Sequence, residues 1–156
     1  MTSSKRKVLL LGHSFLVRLE NYCRKEGKAN MDLSNDIHRI TFRCRGGKYI
    51  SHLENDLQFI DRIKPYLLCL DIATNDIEQL SIKDKTVDPD VLARQVFDFA
   101  QRLVSCHGVK VVVIMEVLNR TKKDRKNYGT KSVSQFRTAA AICISFESFL
   151  RVGRQI

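Results

Sequence analysis

The sequence predicts an α/β fold with three layers, in which a mostly parallel sheet is covered by helices on both faces. Short continuous apolar runs recur along the chain, as in strands buried on both sides. Amphipathic segments at helical spacing lie between them. The two alternate as β-α-β-α-β-α-β up to about residue 118, the order that right-handed crossovers require. The 156 residues fit one domain. We divide them into an α/β domain over 1–118 and a divergent basic loop and helix over 119–156, which is not a separate domain.

The first strand is Lys7-Val8-Leu9-Leu10-Leu11, which stops at Gly12-His13-Ser14. Phe15, Leu16, Leu19, Tyr22 and Cys23 then mark one face of a helix that ends near Gly27. Ile37–Phe42 alternates apolar and polar residues, the pattern of a half-buried strand, and Gly46-Gly47 breaks it. Ile50, Leu53, Leu57 and Ile60 give the second helix its face, and Pro65 follows its end. Tyr66–Ile72 is the third strand, with Ala73-Thr74-Asn75-Asp76 at its carboxyl end. A polar stretch runs from there to Asp88, which caps a third helix with Pro89 at its first position. Leu92, Val96, Phe99, Ala100 and Leu103 form that helix's buried face. Val109–Val117 is the fourth strand. Beyond it, Ser132–Leu150 has the spacing of a helix, although Ile142–Phe146 fits a strand equally well.

Lys and Arg number 27 against 17 Asp and Glu, a formal charge of +10. Residues 1–117 hold 18 basic and 15 acidic residues, a net of +3. Residues 118–156 hold nine basic and two acidic residues, a net of +7. The excess is concentrated in the tail. No apolar run approaches the roughly 18 residues of a membrane span, so no membrane partner is expected. The five cysteines are odd in number and lack C-x-x-C spacing, which fits a reduced, intracellular, cytoplasmic chain. Cys44 lies between Arg43 and Arg45, whose charges would favour a thiolate, but a passive thiol at a strand end is the preferred reading and it is not counted as a site. His13, His38, His52 and His107 have no metal spacing, and neither a metal nor a cofactor is expected.

In parallel α/β sheets, ligands bind beyond the carboxyl ends of the strands. Gly12-His13-Ser14, Gly46-Gly47 and Thr74-Asn75-Asp76 all fall on that rim. A serine between a buried strand and a helix N-terminus is well placed for nucleophilic attack. Backbone amides at Ser14 and at Gly46 or Gly47, with the Asn75 side-chain amide, would donate to an oxyanion. Each element also has an ordinary reading. Ser14 would serve as a helix cap, Gly46-Gly47 as a turn needing positive φ, and Asp76 as an anchor for loop backbone. Their convergence favours a site.

Val8-Leu9-Leu10-Leu11-Gly12-His13-Ser14-Phe15-Leu16-Val17-Arg18-Leu19 resembles block I of the SGNH (GDSL-like) hydrolases. Gly46-Gly47 is placed like the block II glycine, and Ala73-Thr74-Asn75-Asp76 looks like block III, Gly-x-Asn-Asp. The resemblance covers about residues 7–118. It implies a flavodoxin-like fold and esterase or lipase chemistry, with Ser14 as nucleophile and Gly46, Gly47 and Asn75 as oxyanion donors.

Three departures stand out. His13 replaces the usual Asp, and Ala73 replaces the block III Gly. The family's final Asp-x-x-His, which follows a fifth strand and supplies the base, has no counterpart, and no histidine follows His107. None of the four histidines is an obvious substitute. The resemblance therefore describes a C-terminally truncated or divergent member whose fourth strand is left as an edge. Such a chain would act weakly or not at all on an ester-type small molecule. The alternative is a non-catalytic binding module. The Gly-His-Ser version is similar to SGNH-like domains in the open reading frames of some mobile genetic elements. There the basic loop over 119–137 would make weak contacts with nucleic acid.

Overall fold

The computed structural model describes residues 5–82, 89–115 and 143–145. Strand β1 (Arg6–Gly12) leads into helix α1 (Ser14–Lys25), followed by β2 (His38–Cys44). A 3₁₀ helix (Ile50–Asp56) runs directly into α2 (Leu57–Ile63), and β3 (Leu67–Asp71) follows. Then come α3 (Thr74–Ile82), α4 (Pro89–Cys106), β4 (Val111–Ile114) and β5 (Cys143–Ser145). The sheet order is β2-β1-β3-β4-β5. The first four of these are parallel to one another, and β5 pairs antiparallel with β4.

Register explains the alternation of buried side chains. Leu9 lies opposite Leu68, which lies opposite Val112, and Leu11, Leu70 and Ile114 form the next row. Both rows face one layer, built from Leu53 and Ile60 together with Val96, Phe99 and Leu103 of α4. Leu9, Leu11, Leu68 and Leu70 are fully buried, each contributing about 1.5–3 kcal/mol by leaving water. Leu10 points to the opposite face, and Leu16 and Cys23 of α1 are buried outside that core cluster.

Three elements differ from expectation. The second helix is split at Asp56, its first part wound as 3₁₀. The polar stretch after β3 contains α3, whose sequence TNDIEQLSI has too few apolar residues to show a helical period. The helix expected over 132–150 gives way at residues 143–145 to strand β5. That strand pairs with Val111–Val113, so the edge of β4 is covered there. The remainder of that predicted helix, the Asp88 cap and the basic loop over 119–137 lie outside the described residues.

Candidate active site

Gly12 is the residue on which the rim is built. It lies in register with Cys44 of β2 on one side and Asp71 of β3 on the other. A Cβ here would stand 2.3 Å from the Asp71 carbonyl oxygen and 2.9 Å from the Asp71 Cβ, so no larger residue fits. Three strands thus end in one row, with neighbours about 4.8 Å apart. Ser14 follows the first, Gly46 and Gly47 the second, and Asn75 the third. The His13 amide donates to the Asp71 carbonyl at 3.2 Å, and the Arg45 amide to the Gly12 carbonyl at 3.1 Å, which locks the row.

Ser14 is the first residue of α1 and is half-buried. The helix cap is made by its neighbour: His13 Nδ1 accepts from the Phe15 amide at 3.3 Å. This corrects the reading of Ser14 as the cap. With Nδ1 accepting, Nε2 is the ring's donor, and it faces Asp71 Oδ1 and Thr74 Oγ1, both at 3.1 Å. His13 is 3% exposed, with both ring nitrogens engaged away from Ser14.

Gly46 and Gly47 lie exposed in the turn after β2. Gly47 has φ +69°, the left-handed region that favours glycine. Around Gly46 an added Cβ would meet open space. Asn75 is buried in the first turn of α3, and its Nδ2 donates to the Lys48 carbonyl at 2.7 Å. Asp76 Oδ1 and Oδ2 each accept from the Ile50 amide at 3.2 Å. The block III loop therefore grips the block II loop at two points. Burial pushes the Asp76 carboxyl above its usual range, and the Ile50 bond offsets this only in part. Ala73, which stands in the glycine position of the block III pattern, has φ +82°.

Sequence reasoning missed two buried polar groups. The first is the His13–Asp71 pair, whose only trace is an acid ending the apolar run LLCLD. The second lies beneath the glycine turn, where Lys48 Nζ is paired with Asp56 Oδ2 and Arg43 Nε lies 3.0 Å from Asp56 Oδ1. Lys48 and Asp56 are both buried, a placement that periodicity does not reveal for charged residues. Cys44 keeps to the passive reading. Burial, with Glu20 nearby, pushes its thiol up to about 12, and Sγ donates to the Leu10 carbonyl at 3.7 Å. It is not a thiolate at neutral pH.

The other histidines lie apart from His13. His52 Nδ1 accepts from the Tyr49 amide at 3.2 Å, within the turn that opens the 3₁₀ helix. His38 begins β2, and His107 Nδ1 lies 2.7 Å from Asp61 Oδ1, so both belong to the opposite rim. Among the described residues, no group of three His, Cys, Asp or Glu side chains is arranged to hold a metal ion.

No family model and no curated protein matches the chain. Solved structures do. An acetyl xylan esterase superposes with a TM-score of 0.61 at 15% identity, over 86% of this chain and 70% of its own. A GDSL-like lipase of Parabacteroides merdae gives 0.58 at 15% identity, over 89% and 73%. The chain has the SGNH-hydrolase fold. The acetylxylan esterase of Geobacillus stearothermophilus, with a TM-score of 0.59 at 14% identity, shares this SGNH architecture over 89% of the chain and 71% of its own. Identities this low establish the flavodoxin-like SGNH fold alone. Among the described residues, no helix is long and apolar enough to cross a membrane.

Proposed function

We propose that the rim is a serine-esterase-type acyl site for an acyl or acetyl ester, with Ser14 as nucleophile. In this reading the backbone amides of Gly46 and Gly47 and the side-chain amide of Asn75 are the oxyanion donors. One observation carries it: the register row Cys44–Gly12–Asp71 makes the three loops neighbours. The bond to Lys48 uses one of the two Asn75 amide protons, which leaves one for an oxyanion. The Gly46 turn is open, as an approaching carbonyl requires. Among solved structures of the same fold, catalytic mutants of the Geobacillus esterase replace one serine and one aspartate, so serine-dependent ester chemistry is known on it.

The chemistry would be attack of Ser14 Oγ on the ester carbonyl, with negative charge gathering on the carbonyl oxygen beneath the amides. A general base must take the hydroxyl proton. His13 does not fill that role, because its Nδ1 is held by the Phe15 amide and its Nε2 faces Asp71 and Thr74. Turnover should therefore be weak. Oxyanion stabilisation and binding alone leave about 10³–10⁴-fold over water when triad members are removed. A fluorophosphonate probe tests the site. The expected result is labelling of Ser14 that disappears in Ser14→Ala. If the folded protein stays unlabelled at high probe concentration, Ser14 is not a nucleophile. The non-catalytic binding module, with nucleic acid held through the basic loop over 119–137, then becomes the better reading.

A further inference from the structure

The rim opposite the acyl site has its own pattern. Lys7 of β1 lies in register with Arg39 of β2. Val8 lies opposite Leu67, and Leu67 opposite Val111, so the preceding row continues through Tyr66 to Lys110. The Tyr66 amide donates to the Lys7 carbonyl at 2.8 Å and the Lys110 amide to the Tyr66 carbonyl at 3.1 Å, which holds this row together. Arg39, Lys7, Tyr66 and Lys110 thus stand side by side on one face, all exposed. At about 4.8 Å per strand, the row spans roughly 14 Å. The Arg6 guanidinium lies 5.2 Å from the centroid of the Tyr66 ring, and Tyr66 is 42% exposed.

Ordinary structural needs account for only part of this charge. Lys7 Nζ donates to the Ile63 carbonyl at the end of α2, a helix C-terminus that welcomes a cation. Arg39 lies at the start of β2, where no helix dipole asks for its charge. The body's modest net charge of +3 hides a local concentration at this rim.

We infer that this rim binds single-stranded nucleic acid, with Arg39, Lys7 and Lys110 on phosphates and Tyr66 as a stacking platform for a base. A row of cations interrupted by an exposed aromatic ring is the combination such strands need: charge for the backbone and a π-face for the base. A phosphate group alone would use the charge and leave the ring idle, whereas a single strand uses both. The surface is separate from the acyl site and does not depend on it.

The test uses the full chain and a fluorescently labelled single-stranded RNA of about 15 nucleotides, followed by anisotropy. Binding should weaken steeply between about 50 and 200 mM salt. The double variant Arg39→Glu/Lys110→Glu should bind at least tenfold more weakly, with a shallower salt dependence. Tyr66→Ala should bind about five- to a hundredfold more weakly and leave the salt slope unchanged, because stacking carries no counterions. Both variants change exposed side chains, and circular dichroism confirms that they fold. Three outcomes overturn the inference. One is no RNA binding by the wild type at low salt. Another is undiminished binding by the double variant, which would place the contact elsewhere, the 119–137 loop included. The third is loss of binding to phosphatidylserine vesicles in these variants with RNA binding unaffected.

Discussion

Ala73 shows how one residue records a departure from the block pattern. Its φ of +82° is a conformation in which a Cβ is strained by roughly 1–3 kcal/mol. Glycine would remove the strain but gain entropy in the unfolded chain, worth about 0.4–1 kcal/mol. Strain wins in this balance, so Ala73→Gly should stabilise the fold by about 0.5–1 kcal/mol. The urea midpoint should rise with an unchanged m-value, and a lower midpoint would show an unstrained Ala73. Asp76 gives a second residue-scale test. Burial raises its folded pKa, so the native state holds this proton more tightly than the unfolded chain. Its stabilising contribution is present below the unfolded carboxylate value and is lost as pH rises through the raised folded one. Asp76→Asn lacks this dependence. As pH falls from neutral through the carboxylate range, wild type should gain stability relative to Asp76→Asn in urea titrations. The reverse trend would mean that the charged form is favoured in the fold.

At the scale of elements, the join between β2 and the 3₁₀ helix depends on a buried charge. Lys48 and Asp56 form an ion pair out of water beneath the glycine turn, with Arg43 on the second carboxylate oxygen. Asp56→Ala would strand the Lys48 ammonium and should cost about 3–5 kcal/mol. Replacing both partners by apolar residues, Lys48→Met with Asp56→Leu, removes the desolvation cost with the attraction and should be near neutral. Thermal unfolding of the single and double variants separates the cases; equal losses in both would mean that packing, not charge, dominates there. The strands were legible because burial on both faces leaves continuous apolar runs, as in Val8–Leu11 and Leu67–Leu70. Helix α4 was legible because Leu92, Val96, Phe99 and Leu103 repeat along one face. Helix α3 was not, because its start is made of Thr74, Asn75 and Asp76, which read equally well as loop. The rim was legible because its turn residues fall at strand ends. The engagement of His13 with Asp71 was not, because it joins residues 58 positions apart through the register of β1 and β3.

Across the whole molecule, the proposed acyl site draws its parts from elements of unequal stability. β1 and β3 each have a strand on both sides and carry the fully buried Leu9, Leu11, Leu68 and Leu70. Among the described residues β2 pairs with β1 alone, and its side chains are half-buried or exposed. Ser14 and Asn75 thus follow central strands, whereas Gly46 and Gly47 follow an edge strand. The glycine turn is tied back by two contacts from α3, the Asn75 bond to the Lys48 carbonyl and the Asp76 bonds to the Ile50 amide. Local opening follows the distribution of burial, so amides of Leu9–Leu11 and Leu68–Leu70 should exchange slowest and those of β2 sooner. The Ile50 amide should be protected beyond its neighbours in the turn, because a half-buried carboxylate holds it. In Asp76→Ala, hydrogen exchange across residues 45–50 should accelerate while the centres of β1 and β3 keep their rates. Uniform acceleration would show that α3 supports the whole sheet. No change at Ile50 would show that the glycine turn is held without α3.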